Sequence, residues 1–195
     1  MMLILSLGES AMNELQVYLR KAEEYHGHIC SGQILGIRMA LLGLKSLEMR
    51  AGGDLRDLMI FLESDRCVAD AAYVVTGTTV GRRRMKMHNY GKTAMSFLDL
   101  KSGKAYRIAV ATSDRPPHHG SKEEQLAFWE GYADEDIFTC QEVSIPLPDS
   151  ELPGPPVSVI ACPGCGEDVL DGREVMRDGT AYCRACAGEA YYQSL

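Results

Sequence analysis

Apolar residues recur at helical spacing near the start of the chain. They predict a helix over residues 10–24, with Ser10 as its N-cap, and Gly27 then ends the helical pattern. The pattern resumes at Ser31 and runs to about residue 47, with Ser31 as the natural N-cap of this second helix. Cys30 is therefore expected at the start of a helix.

A continuous apolar run, Leu58-Met59-Ile60-Phe61-Leu62, is typical of a buried strand. The polar residues after it predict another helix, with Ser64 or Asp65 as its cap and its end at Thr76-Gly77. Cys67 would also lie near a helix start. Gly32 and Gly36 weaken the preceding helix, so we expect that helix face to approach another backbone closely.

Alternating patterns in the middle of the chain predict a meander of antiparallel strands over residues 85–90, 93–100 and 105–112. Ser121 and Glu124 form a capping-box signature for a further helix, and residues 137–146 supply one more strand. This order of elements predicts the α+β class.

Five of the eight prolines fall between residues 146 and 156, which predicts an extended linker. We therefore expect a core domain over residues 1–146, a linker over 147–156 and a small C-terminal domain over 157–195.

Composition restricts the class of protein. The 195 residues are 46% hydrophobic, and no stretch approaches the roughly 18 apolar residues of a membrane span. No secretory leader pattern precedes the first helix, and seven cysteines at these spacings fit reduced thiols in the cytoplasm. The net charge is −7, and residues 157–195 are acidic, which argues against a nucleic-acid partner.

The C-terminal segment contains two CxxC pairs, Cys162/Cys165 and Cys183/Cys186. Each pair can present two thiolates to one ion, so together they predict one tetrahedral structural zinc per chain. A hairpin between the pairs and a helix after Cys186 favour a treble-clef-type finger. About 40 residues would scarcely hold a core without metal.

A second set of reactive residues, His26, His28 and Cys30, precedes the second helix. With Cys67 they can form a His/Cys metal site, or a thiolate nucleophile with an adjacent base, or only turn, capping and buried residues. The positive end of a helix dipole would lower the pKa of either thiol.

Other candidates are weaker. His118 and His119 lie in a proline-rich loop that we expect to be exposed, and Cys140, on a predicted strand, is expected in the core.

Two blocks of the chain resemble the E-subunit family of formylmethanofuran dehydrogenase. The first is His26-Gly-His28-x-Cys30-x-Gly32 with Gly36-Ile37-Arg38-Met39. The second is Cys67-x-x-Asp70-Ala71, then Thr76-Gly77-x-Thr79-x-Gly81 and Tyr90-Gly91-Lys92. Members often carry a cysteine after the Thr-Gly pair, and Thr78 stands there in this chain, which removes a possible extra ligand.

The resemblance implies a thioredoxin-like α+β core with a mixed sheet flanked by helices, usually as a homodimer. It places the functional site at the histidine and cysteine blocks. His28, Cys30 and Cys67 are the candidate metal or catalytic residues, with His26, Asp70 and Lys92 in support. A second divalent metal is expected there.

The leading functional hypothesis is a metal-binding accessory protein of molybdenum- or tungsten-dependent one-carbon metabolism in an anaerobe. One alternative is an enzyme with Cys30 as nucleophile, His28 or His26 as acid or base, and Lys92 stabilising negative charge. Another is a docking module, which would bind a larger oxidoreductase through the finger. Thioredoxin-like redox exchange is disfavoured, because no CxxC occurs before residue 162.

Overall fold

The computed structural model describes residues 4–117 and 120–193, with side chains from residue 14 onward. His118 and His119 lie outside the described residues. The chain divides into two compact units, Met1–Ile145 and Pro146–Leu195. None of the described helices is long and apolar enough to span a bilayer.

The first unit combines helices with one sheet. Its helices are α1 (Ile4–His26), α2 (Ser31–Ser46), α3 (Cys67–Thr76), α4 (Lys122–Glu130) and α5 (Asp134–Ile137). Its strands are β1 (Leu58–Leu62), β2 (Met85–Met87), β3 (Ala94–Asp99), β4 (Ala105–Val110) and β5 (Phe138–Val143).

The sheet is mixed, with strand order β2-β1-β3-β4-β5. β3, β4 and β5 form the predicted antiparallel meander, but the prediction was wrong to include β2 in it. β2 pairs in parallel with β1, in the register Ile60↔Met85, because α3 carries the chain back across the sheet between the two strands. The predicted α+β class with a mixed sheet flanked by helices is confirmed.

The core lies where α2 meets the sheet and the other helices. α2 contacts α1, α3 and α4 and also packs on β3 and β4, and every residue of β1 is buried. Two large side chains at this junction, Ile37 and Met39, are fully buried. The helix that follows Cys30 is therefore the centre of the packing.

α2 and α3 approach each other closely at Gly36. A Cβ added to Gly36 would lie 2.6 Å from the Ala71 Cβ and 2.9 Å from the Val68 Cα. At Gly32, one turn earlier, a Cβ would lie 2.9 Å from the Cys67 Cβ. The expectation that these glycines face another backbone is confirmed, and the contact brings the starts of α2 and α3 together.

The helix starts differ slightly from the prediction. Cys30, not Ser31, is the N-cap of α2, and Arg66 is the N-cap of α3 in place of Ser64 or Asp65. The Ser31 hydroxyl is used elsewhere, since it donates to Gln125 Oε1 at 2.8 Å and accepts from Trp129 Nε1 at 2.9 Å. These bonds tie α2 to α4 instead of capping α2.

Glu63, just after β1, is buried and forms a bidentate ion pair with Arg107 of β4, at 2.6 and 2.7 Å. Its main-chain oxygen accepts from the amides of Tyr90 and Lys92, at 2.9 and 3.1 Å. The Arg107 guanidinium holds the pKa of the Glu63 carboxyl below its usual range, despite the burial that opposes this shift.

Cys140 is exposed, so its predicted place in the core is wrong. It lies on β5, at the edge of the sheet, where most side chains face solvent. Its sulfur lies 3.5 Å from the Ser46 hydroxyl.

The second unit contains a short 3₁₀ turn, Asp149–Glu151, followed by two small hairpins and a helical segment. β6 (Val159–Ala161) pairs with β7 (Asp168–Leu170), and β8 (Val175–Arg177) pairs with β9 (Thr180–Tyr182). The helical segment is Ala185–Glu189.

Two sequence expectations for this unit were wrong in detail. β7 does not pair with β8, because Asp171 and Gly172 both take positive φ and turn the chain between them. Asp178 and Gly179, also at positive φ, make the two-residue turn that joins β8 to β9. The helical segment ends at Glu189 instead of continuing to residue 192, because Gly188 has a φ of 88°.

Gly36→Ala is expected to lower the free energy of unfolding of the first unit by about 1–3 kcal/mol, the usual cost of overpacking a close contact. Urea unfolding followed by the fluorescence of Trp129, the single tryptophan, measures it. Gly81→Ala is the matched control, since a Cβ there meets nothing within 4 Å. Equal stability of Gly36→Ala and wild type would contradict the close contact.

Glu63→Gln is expected to destabilise the chain at pH 7 by about 1.5–3 kcal/mol, the contribution of charge-assisted hydrogen bonds. Because the folded pKa of Glu63 is lowered, its stabilisation is complete above the unfolded pKa of about 4.3 and is lost as the pH falls through the folded value.

The stability gap between wild type and Glu63→Gln should therefore narrow in acid, as measured by urea unfolding at successive pH values. Glu142→Gln, which alters an exposed carboxylate on β5, should show no such gap at any pH. A Glu63→Gln gap that is constant between neutral and acid pH would argue against the ion pair.

Candidate metal sites

Three candidate ligands from the first sequence block meet where α1 ends and α2 begins. His26 is the last residue of α1, and Gly27, with a φ of 88°, turns the chain so that His28 and the N-cap Cys30 follow directly. One ligand atom from each of His26, His28 and Cys30 lies within 4.8 Å of the others. The two imidazole rings are 4.8 Å apart between centroids.

His26 is oriented by a carboxylate on α3. Its Nδ1 lies 2.7 Å from the Asp70 Oδ2, and the side chain is 16% exposed. The carboxylate accepts the Nδ1 proton, which leaves Nε2 as the lone-pair nitrogen. Nε2 is buried and has no hydrogen-bond partner among the described residues. Histidines that bind metals are typically held by such a carboxylate on the other nitrogen.

Cys67 lies beside Cys30 across Gly32. A Cβ added to Gly32 would lie 3.6 Å from the Cys67 sulfur and 3.7 Å from the Cys30 sulfur. Cys67 is not in the set of mutually close ligand atoms that joins Cys30 to the histidines. It nevertheless places a second thiol next to that set.

The helix dipole was expected to lower the pKa of the Cys67 thiol, and this expectation was wrong. Burial raises the pKa of Cys67, and its hydrogen bond with the Cys30 thiol raises it further. Desolvation and a neighbouring thiol thus outweigh the helix start at this position.

Gln33, which the sequence interpretation did not select, also supports α3. It is fully buried, and its Nε2 donates to the Cys67 carbonyl at 3.0 Å. Its Oε1 has no partner among the described residues. A polar residue at the start of an otherwise apolar helix was the available signal.

Lys92 and Thr78 make their contacts away from the cluster. Lys92 is exposed, and its amide and its charge both act on Glu63. Thr78 follows the C-terminal end of α3, where its hydroxyl bonds to that of Thr76 at 2.8 Å. Ten helical residues span about 15 Å, so a cysteine at position 78 would not reach the ligands near Cys67. Thr78 therefore removes no ligand from this site.

The second unit brings the four CxxC sulfurs together. The sulfurs of Cys162, Cys165, Cys183 and Cys186 all lie within 4.8 Å of one another. The Cys183 amide donates to the Cys162 sulfur at 3.3 Å, and the Cys186 amide donates to the Cys183 sulfur at 3.4 Å. A Cβ on Gly164 would lie 2.9 Å from the Cys186 sulfur, so the first knuckle requires glycine.

The four thiols hold protons unequally. The amide of Cys183 lowers the pKa of Cys162 to about 6, with help from the amides of Cys165 and Gly164. Hydrogen bonds with Cys183 and the other thiols raise the pKa of Cys186 to about 12. Four thiolates this close repel one another unless a cation lies between them, which is the condition that a tetrahedral zinc ion satisfies.

Two family models match the chain, one in each unit. The model described as "FmdE, Molybdenum formylmethanofuran dehydrogenase operon" matches residues 25–139. The model described as "Prokaryotic dksA/traR C4-type zinc finger" matches residues 156–192. The first match includes both sequence blocks, and the second includes all four finger cysteines.

A solved structure with a similar fold is that of an FmdE-like protein of the tungsten formylmethanofuran dehydrogenase type from Syntrophus aciditrophicus. It superimposes with a TM-score of 0.64 at 22% identity, covering 92% of this chain and 95% of that one. At this identity the likeness concerns the fold alone.

A curated relative, a "Probable S-adenosyl-L-methionine-binding protein" of Archaeoglobus fulgidus, is 31% identical over 103 residues. The aligned part is 50% of this chain and only 28% of that relative. The chain therefore spans little more than a quarter of the relative's length.

Cys183→Ser is expected to remove one zinc ion per chain and to unfold the second unit, because so small a unit depends on its metal. Metal analysis of the purified chain, with limited tryptic digestion at Arg173 and Arg177, measures both effects. Cys140→Ser is the control, because its thiol lies outside both clusters. Retention of the full zinc content by Cys183→Ser would rule out the four-cysteine site.

Proposed function

The chain belongs to the FmdE family, and on that premise we propose that it is a metal-binding protein with two sites. The C4-type finger would hold one structural zinc ion. The second site would hold a divalent ion between His26, His28 and Cys30, with Cys67 as a possible fourth ligand. The family match, the finger match and the two clusters support metal binding.

The observation that carries the second site is the unpartnered nitrogen of His26. A buried imidazole nitrogen without a hydrogen bond is costly, and Asp70 already occupies the other ring nitrogen. A metal ion accepting the Nε2 lone pair would satisfy it. The nearby His28 and Cys30 supply the nitrogen and thiolate donors that zinc prefers.

The number of protein ligands would decide what the second ion can do. If Cys67 binds, four protein ligands close the site, as in structural zinc centres. If it does not, three ligands leave a position open to water or substrate, as in catalytic zinc centres. His28 is exposed, whereas His26 and the two thiols are partly buried, so the open position would face solvent on the His28 side.

We further propose a role as an accessory to molybdenum- or tungsten-dependent one-carbon metabolism. The description of the matching family supports this association. The homodimer and the docking to a larger oxidoreductase, implied by the family resemblance, belong to the same proposal. S-adenosyl-L-methionine binding, named for the relative, is not carried over, because the overlap covers too little of that protein.

The finer fold assignments are also proposals. A treble-clef-type finger is supported by the order of a knuckle at Cys162, hairpins, and a second pair that leads into the segment Ala185–Glu189. A thioredoxin-like core is supported by the β1-α3-β2 crossover next to antiparallel strands.

The test is metal content of the purified full-length chain after zinc loading. Wild type is expected to hold two ions per chain and Cys30→Ser one, because losing a thiolate leaves only imidazole donors at the second site. Asp70→Asn should weaken binding there by about 10- to 100-fold, the usual effect of losing the carboxylate behind a ligating histidine.

Cys140→Ser, the matched cysteine control, should keep both ions. Adding Cys30→Ser to Cys183→Ser should remove all tightly bound zinc, which assigns each ion to its unit. An unchanged metal content in Cys30→Ser would defeat the second site while leaving the finger intact.

A further inference from the structure

A cleft of about 420 Å³ opens beside the thiol pair, between the starts of α2 and α3 and the loop before α4. Gly32 and Cys67 line it, so the cleft lies next to the proposed second metal site. The first-turn amides of two helices begin here, which makes this end of the molecule favourable to negative charge.

Two guanidinium groups line the cleft. The side chain of Arg66 is exposed and forms no hydrogen bond or ion pair within the described part of the chain. Arg115 bonds only to main-chain oxygens, those of Thr112 at 3.0 Å and Asp114 at 2.6 Å. No aspartate or glutamate lines the cleft among the described residues, so both positive charges remain without a carboxylate there.

The remaining wall is largely apolar. Leu35, Val68 and Val110 contribute aliphatic surface, and Trp129 contributes an aromatic ring. Gln125, the main polar group, is already bonded to Ser31 and to the Gly120 carbonyl. Mostly apolar walls with a few placed charged groups are typical of small-molecule sites.

We propose that this cleft binds a small organic anion, a carboxylate or a phosphate ester, with a short apolar body. Arg66 and Arg115 hold the anionic group, and the aliphatic wall and Trp129 cover the apolar part. A ligand seated there lies against Cys67. The inference deepens the proposed function, since it names the class of molecule that would reach the second metal site.

Hexanoate and hexyl phosphate are suitable probes, with hexylamine as the cationic counterpart. Trp129 is the chain's single tryptophan and lines the cleft, so its fluorescence reports occupancy in the full-length, zinc-loaded chain. At least one anion should give a saturable change, and hexylamine should give none. Whichever anion binds more tightly identifies the headgroup as carboxylate or phosphate.

Arg66→Gln and Arg115→Gln should each weaken that binding by about tenfold or more, the effect of losing one charge-assisted hydrogen bond. Arg66→Lys and Arg115→Lys, which keep the charge, should lose less. Arg82→Gln removes an exposed arginine outside the cleft and should leave binding unchanged. Unaltered circular dichroism would show that the variants remain folded.

The proposal is overturned if neither anion binds the wild type, if both glutamine variants bind as tightly as the wild type, or if hexylamine binds equally well. The result is separable from the metal proposal. Anion binding that persists while Cys30→Ser keeps its full metal content would sustain the cleft and defeat the second metal site. Loss of metal in Cys30→Ser without anion binding to the wild type would do the reverse.

Discussion

The close contact between α2 and α3 is the constraint on which the first unit depends. Gly36 lets the backbone at Val68 and the side chain of Ala71 approach α2 without a clash, and Gly32 does the same for Cys67. A larger side chain at either glycine would push the two helix starts apart. The same contact that fills the core therefore also places Cys30 and Cys67 side by side.

The topology of the sheet explains why chemistry collects at this end. β1 and β2 are parallel, and α3 is the crossover between them, so Arg66 and Cys67 follow the carboxyl end of β1. Sites in parallel sheets lie beyond the carboxyl ends of strands, where helices begin and their amides face outward. The last turn of α1 brings His26 to the same place through its bond with Asp70.

Local patterns in the sequence predicted most of the elements and half of the site. The apolar run Leu58–Leu62, the capping box at Ser121 and the two CxxC pairs all depend on neighbours in the chain, so their spacing was informative. The parallel pairing of β2 and the exposure of Cys140 depend on which strands end at the sheet edge. The charged cleft was missed because Arg66 and Arg115 are 49 positions apart, and only the folded chain places them on one wall.

The two metal clusters differ in what holds their ligands in place. In the finger, main-chain amides bond directly to the sulfurs of Cys162 and Cys183, so the donors are organised by short knuckles within one small unit. At the other cluster the donors come from the end of α1, the turn after it and the start of α2, and Asp70 of α3 orients His26. Metal affinity at that cluster is therefore coupled to the packing of three helices. Any change that loosens the α2–α3 contact would weaken metal binding there before it affects the finger.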